Sequence, residues 1–234
     1  MRLQNLRREV LAANLELVRR GLVLYTFGNA SGIDREEGLV VIKPSGVSYD
    51  ELKPEDLVVT DLSGNIVEGK LRPSSDLPTH LVLYKNFPAI GGVTHTHSEF
   101  ATAWAQAGRS IPCLGTTHAD YFRGPVPVTD SLPEKEIASD YEKNTGDAIC
   151  RTFTRIDPEE IPAVLVRSHG PFCWGSDSAM AAHHSVILEA IARMAYYTFA
   201  LSHDIDSLDP QLHDKHFLRK HGKKAYYGQA LPRR

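Results

Sequence analysis

Apolar residues Leu6, Val10, Ala13 and Leu17 recur at spacings of four, three and four, the stripe of one amphipathic helix that Gly21 ends. Over residues 23–67 the pattern changes to short β-like runs. Leu39-Val40-Val41-Ile42 and Leu57-Val58-Val59 read as strands, and Ser63-Gly64-Asn65 as a hairpin turn. Ser75-Asp76-Leu77-Pro78 starts a second helix, with Ser75 or Asp76 as cap and an early proline, carrying Leu81, Leu83 and Tyr84 to about Phe87. Residues 90–97 read as a strand, followed by a helix through Ala101, Trp104 and Ala107. Residues 125–128 are extended, 134–153 helical, and 163–166 a buried strand. Ser176-Asp177 caps a long helix to about Leu201, and Asp209-Pro210 opens a last one. Strands and helices mix without strict alternation and no linker divides the chain. The expectation is one α/β domain over residues 1–234, with a mixed or mostly antiparallel central sheet flanked by helices.

Composition narrows the class. The chain has 234 residues, 42% of them hydrophobic and 24% charged, with a net charge of −3. That is globular composition, and it lacks the basic excess a nucleic-acid protein needs. Three cysteines, widely spaced and odd in number, do not make a disulfide framework. The first residues are charged throughout, and the longest apolar stretch, 186–201, is interrupted by Glu189 and Arg193 and is too short to span a bilayer. A cytoplasmic protein that engages neither membrane nor nucleic acid is expected.

The sharpest chemical feature is Thr94-His95-Thr96-His97-Ser98. Side chains two apart on a strand share a face, so His95 and His97 offer two imidazoles to one ion. His169, in Ser168-His169-Gly170-Pro171 after the strand 163–166, is a third ligand at a place where a rigid element hands over to a loop. Three imidazoles leave a coordination position open, as a catalytic metal requires. Asp76 could tune that metal, although alone it reads as a helix cap. Lys43-Pro44-Ser45-Gly46 and Ser74-Ser75 are rich in donors, and Gly28-Asn29 adds close backbone approach; phosphate is the obvious ligand. Gly64 to Lys70 imitates the start of a P-loop, but Leu71 stands where Ser or Thr is required and the context is a hairpin. His183-His184, within an apolar helix, read as structural. In the run 115–121, His118 and Asp120 are close enough for proton transfer work. The basic stretch 215–224 and the aromatic pair Tyr226-Tyr227 suggest a tail that docks on its own core or on a neighbouring subunit.

These residues resemble the L-ribulose-5-phosphate 4-epimerase family of the class II aldolase/adducin-head superfamily. The resemblance runs from Val10-Leu11-Ala12-Ala13-Asn14 to Tyr226-Tyr227-Gly228-Gln229, through Gly28-Asn29, residues 42–46, 73–76, 91–97, 115–121 and 168–172, and Asp214-Lys215-His216. It implies zinc, or another divalent cation, on His95, His97 and His169 with Asp76 close by. It implies a sugar phosphate held by Gly28, Asn29, Lys43, Ser45, Gly46, Ser74 and Ser75. It makes Asp120 one acid/base and Tyr227, from an adjacent subunit, the other, with His216 supporting at that interface. The implied enzyme is a homotetrameric isomerase of carbohydrate metabolism, with the tail from about residue 208 at a subunit interface. It would interconvert L-ribulose 5-phosphate and D-xylulose 5-phosphate by cleaving C3–C4, rotating glycolaldehyde phosphate and recondensing, in arabinose breakdown or a sugar-acid pathway. The rivals are a true class II aldolase, which shares the metal trio, a non-catalytic adducin-head-like module, which should lack it, and a zinc hydrolase, for which no H-E-x-x-H arrangement exists. Asp rather than Glu at 76, with Asp120 and Tyr227, favours epimerisation.

Overall fold

Alternation along the strands decides which layer of helices each side chain meets. In the computed structural model, which describes residues 2–227, seven strands form one sheet in the order β4-β3-β2-β1-β5-β7-β6. They are β1 (Asn29–Asp34), β2 (Leu39–Ile42), β3 (Val58–Asp61), β4 (Ile66–Glu68), β5 (Gly92–His95), β6 (Ala163–Val166) and β7 (Gly170–Gly175). Every neighbouring pair is antiparallel, so the sheet is not mixed; one isolated parallel bridge, Val128 to Leu165, adjoins it. The helices are α1 (Gln4–Arg19), α2 (Leu77–Asn86), α3 (Glu99–Ala107), α4 (Thr116–Ala119), α5 (Glu134–Ile137), α6 (Tyr141–Thr152), α7 (Ser178–Leu201) and α8 (Pro210–His221). None of these helices is long and apolar enough to cross a membrane.

On β2 and β3, Val40, Ile42 and Val58 join Leu81, Leu83 and Tyr84 of α2 in the main core. Leu39, Val41, Leu57 and Val59 point the other way and pack with Val10 of α1. The α1 stripe is as its spacing predicts, with Val10, Ala13 and Leu17 buried. Asn14, also buried, ties the helix to the sheet by donating to Ala30 O and accepting from Ala30 N. Asp177 caps α7 by accepting from Met180 N, and Asp209 caps α8.

Several elements depart from the sequence reading. The glycine-containing β1 and β7 show no apolar alternation to announce them, and Pro171 argues against a strand. Pro171 is tolerated near the start of β7, where the ladder is only beginning. β5 ends at His95, so His97 lies beyond the strand rather than on its face. The helical stretch 134–153 breaks between α5 and α6, where Asn144 Nδ2 donates to Glu136 O and Ser139 Oγ. Within the run 115–121, residues Thr116–Ala119 form the short α4.

Gly32, Gly92 and Gly175 pair in one register row across β1, β5 and β7. A Cβ on Gly32 would stand 2.8 Å from Leu6 Cδ1, one on Gly92 2.4 Å from the backbone of Asp177, and one on Gly175 2.7 Å from Met180 Cβ. The row is the flat seat on which α1 and the head of α7 rest. Thr94 on the same face fastens α7 further, with Thr94 Oγ1 and Ser185 Oγ 2.7 Å apart.

Two buried imidazoles staple the periphery. His184 Nδ1 donates to Trp174 O and His118 Nε2 donates to Gly124 O, each at 2.7 Å. His183-His184 is structural at least in its second member, and His118 serves the loop rather than the open cavity. Burial lowers both His184 and His118 to about 4.

Two outcomes follow. Gly92→Ala meets rigid backbone and should cost more than about 2 kcal/mol in urea denaturation, whereas Gly32→Ala meets the movable end of Leu6 and should cost less; equal losses would refute the seat. Because the folded pKa values of His118 and His184 lie below their unfolded value, their contribution is intact at pH 7 and is lost as pH falls from about 6.5 towards 4. Each should add up to about 1.4 kcal/mol per pH unit to the slope of stability in that window; replacing both by Gln should flatten it.

Candidate functional site

The site forms where three central strands meet at one end. His95, the last residue of β5, pairs with Asn29 at the start of β1 and with Phe172 near the start of β7. His95 Nδ1 donates to Pro171 O at 2.9 Å, and the ring stacks on Phe172 with centroids 4.2 Å apart. That fixes the tautomer and leaves Nε2 as a lone-pair donor. His97 Nε2 lies 3.0 Å from His95 Nε2. His169 sits in the turn between β6 and β7, behind Ser168 at φ 61. Gly170 lets this turn close on β5, since a Cβ there would lie 2.8 Å from Thr96 O.

One candidate ligand atom from each of the three histidines lies within 4.8 Å of the others. Burial pushes His95 down to about 3 and lowers His97 and His169, the last with help from His97. All three are therefore neutral at pH 7, the form that binds a metal. Two neutral nitrogens facing each other at 3.0 Å need a proton or a cation between their lone pairs. The donor set fits one divalent ion.

Asp76 stands at the head of α2, but its side chain makes no cap bond. It accepts from Asn29 Nδ2 at 2.7 Å and faces the same cavity as the histidines, outside the cluster of converging ligand atoms. Burial opposes its charge, while the nearby imidazoles and Asn29 hold the carboxyl below its usual value. Asn29 Nδ2 also donates to Ser74 Oγ, and Asn29 Oδ1 is buried without a partner among the described residues.

The cavity measures about 400 Å³. An antiparallel bridge between Pro44 and Pro73 lays its two donor segments side by side, so Lys43, Ser45 and Gly46 face Ser74 and Ser75 across it. Gly28 lines it too, at φ 96, where a Cβ would stand 2.9 Å from His95 O. Lys43 is 1% exposed, its Nζ donating to Pro44 O and resting 4.5 Å above the Tyr49 ring, with no carboxylate beside it. Burial lowers it to about 8. An anion entering here would supply the charge that Lys43 lacks.

Asp120, His216 and Tyr227 lie elsewhere; none of them lines this cavity. Asp120 accepts from Arg219 through both carboxylate oxygens and shares Oδ1 with His216 Nδ1 at 3.0 Å, and Lys220 Nζ is 3.7 Å away. Burial alone would raise this carboxyl, and the bonds from Arg219 and His216 with the charge of Lys220 hold it below its usual value. Tyr227 rests on Arg219 and Lys220, at 4.8 and 4.5 Å from its ring centre. The two residues expected to be acid/bases thus share one cationic cluster on a single protomer. Gly228-Gln229 and the extension Leu231–Arg234 lie outside the described residues.

Two side chains of the cavity wall gave no sequence signal. Phe27 stacks on His97, and Tyr141, the first residue of α6, reaches His169 Nδ1 with its hydroxyl at 3.3 Å. Both are aromatics at ordinary positions, a loop and a helix start.

The Class II Aldolase and Adducin N-terminal domain model matches residues 8–196. L-ribulose-5-phosphate 4-epimerase UlaF of Salmonella paratyphi A is 53% identical over 227 residues, 97% of this chain and 100% of that protein, and its counterpart in Salmonella typhi is equally similar. Among solved structures, an L-fuculose 1-phosphate aldolase superimposes with a TM-score of 0.77 at 26% identity, covering 91% of this chain and 94% of that one. The L-fuculose-1-phosphate aldolase of Thermus thermophilus gives 0.67 at 25%, covering 86% and 98%. The chain therefore belongs to the class II aldolase and adducin N-terminal domain family and, within it, to the L-ribulose-5-phosphate 4-epimerase family.

Proposed function

We propose that the protein is a metal-dependent epimerase interconverting L-ribulose 5-phosphate and D-xylulose 5-phosphate by retro-aldol cleavage and recondensation. The observation that carries this reading is a single cavity with three neutral imidazoles and Asp76 at one end, and Lys43 with the serine-rich segments at the other. One end suits a divalent ion, for which zinc is the assignment, and the other suits a phosphate.

C4 of the substrate carries no acidic proton, so direct deprotonation there is not available. Taking the proton from O4 lets the C3–C4 bond break instead. Its electron pair passes to C3 and the C2 carbonyl, giving a dihydroxyacetone enediolate and glycolaldehyde phosphate. A divalent ion on His95, His97 and His169 supplies Lewis-acid stabilisation for the charge on the ketone fragment. Ser45, Gly46, Ser74, Ser75 and Lys43 hold the phosphate while the aldehyde rotates, and so keep the fragment from leaving. Gly28 gives backbone access, and the free Asn29 Oδ1 accepts from a substrate hydroxyl. The bond then re-forms on the other face of the aldehyde, and O4 regains a proton.

Two proton carriers are needed, one on each side of the aldehyde, and Asp120 and Tyr227 take these roles. Since neither lines its own chain's cavity, they are delivered across a subunit boundary, with His216 orienting Asp120. A homo-oligomer follows from this assignment, and the resemblance to the epimerases makes it a tetramer.

Conversion of L-ribulose 5-phosphate in a coupled assay should vanish on chelation and return with Zn²⁺. Release of free aldehyde phosphate in place of conversion would move the protein to the aldolases. Asp120→Asn and Tyr227→Phe should each lower kcat by about 10²-fold or more, with KM moving far less. A mixture of inactive His95→Asn and inactive Tyr227→Phe chains, refolded together, should regain activity through hybrid interfaces. No recovery in the mixed oligomers would place both residues in one subunit's site and overturn the shared arrangement.

A further inference from the structure

Ligating histidines need their second ring nitrogen held, because that bond sets the tautomer and the aim of the ring. For His95 the holder is Pro171 O. For His169 it is Tyr141, whose oxygen lies 3.3 Å from Nδ1, with ring centres 6.1 Å apart. Tyr141 also lines the cavity. Its place is set by two contacts between α6 and α2: Thr79 Oγ1 donates to Glu142 O, and Gly146 packs so closely that a Cβ would lie 2.7 Å from Val82 Cβ. The helix headed by Asp76 and the helix headed by Tyr141 are thus clamped together, and both heads face the histidine cluster.

We infer that Tyr141 is a positioning residue for the metal centre: its phenol oxygen accepts the Nδ1–H of His169, directing Nε2 to the ion, and leaves its own O–H to donate into the cavity. The inference rests on the metal site proposed above. A carboxylate in this position would add negative charge to the ligand set. A phenol aims the ring without doing so, because its O–H form carries no charge. The ion therefore keeps more of its Lewis acidity. The outward O–H is one fixed donor for a substrate oxygen beside the metal.

Tyr141→Phe retains the ring and removes the oxygen. Zn²⁺ affinity, measured by chelator competition, should fall about 10- to 100-fold. The visible spectrum of the Co²⁺-loaded protein should shift. In ¹⁵N-edited spectra of the Zn²⁺-loaded protein, the His169 Nδ1–H signal should be lost to exchange, while thermal stability of the metal-free protein stays at the wild-type level. Gly146→Ala, which pushes the head of α6 away with Tyr141 intact, should weaken Zn²⁺ binding in the same direction. Wild-type affinity and an unchanged Nδ1–H signal in Tyr141→Phe would overturn the inference while leaving the metal site standing. Failure of the wild-type protein to bind Zn²⁺ would overturn both.

Discussion

The site depends on strand register. Antiparallel neighbours begin where β5 ends, so Asn29 and Phe172 flank His95 at one level of the sheet, and the turn carrying His169 enters beside the segment carrying His97. Groups far apart in the chain meet because three strand ends coincide. A slip of one residue would turn every side chain of β5 to the other face. His95 would then face α7, and Thr94 would face the cavity. Each face holds the register independently: on one, the glycine row seats α1 and α7 and Thr94 meets Ser185. On the other, Ser31 Oγ bonds both His80 Nδ1 and the Tyr84 hydroxyl of α2 at 2.7 Å.

The cavity built on this frame is electrically divided. At the histidine end the half-buried Asp76 carboxylate is held below its usual value beside three imidazoles, an arrangement that favours a cation. At the other end Lys43 is buried without a counter-ion, over the face of Tyr49 whose hydroxyl donates to Gly28 O. Burying an unpaired ammonium is costly, and the cost shows as a pKa lowered to about 8. The protein retains that penalty at a place where Ser45, Ser74 and Ser75 also line the cavity. The empty charge balance at one end and the surplus of lone pairs at the other describe a ligand with an anionic tail and oxygens that can share a metal.

Much of this was legible in the chain. The α1 stripe, the cap of α7 and the apolar runs of β2, β3 and β6 are local patterns that read correctly, and the three histidines singled out in the chain do converge. What did not read locally was decided by tertiary contact. β1 and β7 are strands because neighbours pair with them, not because Asn29–Asp34 or Gly170–Gly175 alternates. Asp76 looks like a cap because it precedes Leu77-Pro78, yet Asn29, 47 positions away, claims its carboxylate. Tyr141 has no signature at all, since its role comes from the packing of α6 on α2. The resemblance to the epimerases, by contrast, came from motifs scattered across the whole chain, which local reading recognised without explaining their meeting.

The matched family domain ends at residue 196, and the side chains that bond or flank the Asp120 carboxylate lie beyond it: His216, Arg219, Lys220 and, through them, Tyr227. The histidines and Asp76 at one end of the cavity and Lys43 with the serines at the other all lie within the matched domain, on one platform. On the proposed function, breaking C3–C4 draws on that platform and one proton carrier, whereas epimerisation demands a proton carrier on each face of the rotating aldehyde. We assign that requirement to Asp120, which follows α4, and to Tyr227, which follows α8; Asp120 accepts from Arg219, and Tyr227 rests on the same guanidinium. On the proposed assembly, the class of chemistry would be set by the strand ends, and its outcome by how the last helix of one subunit meets the cavity of the next.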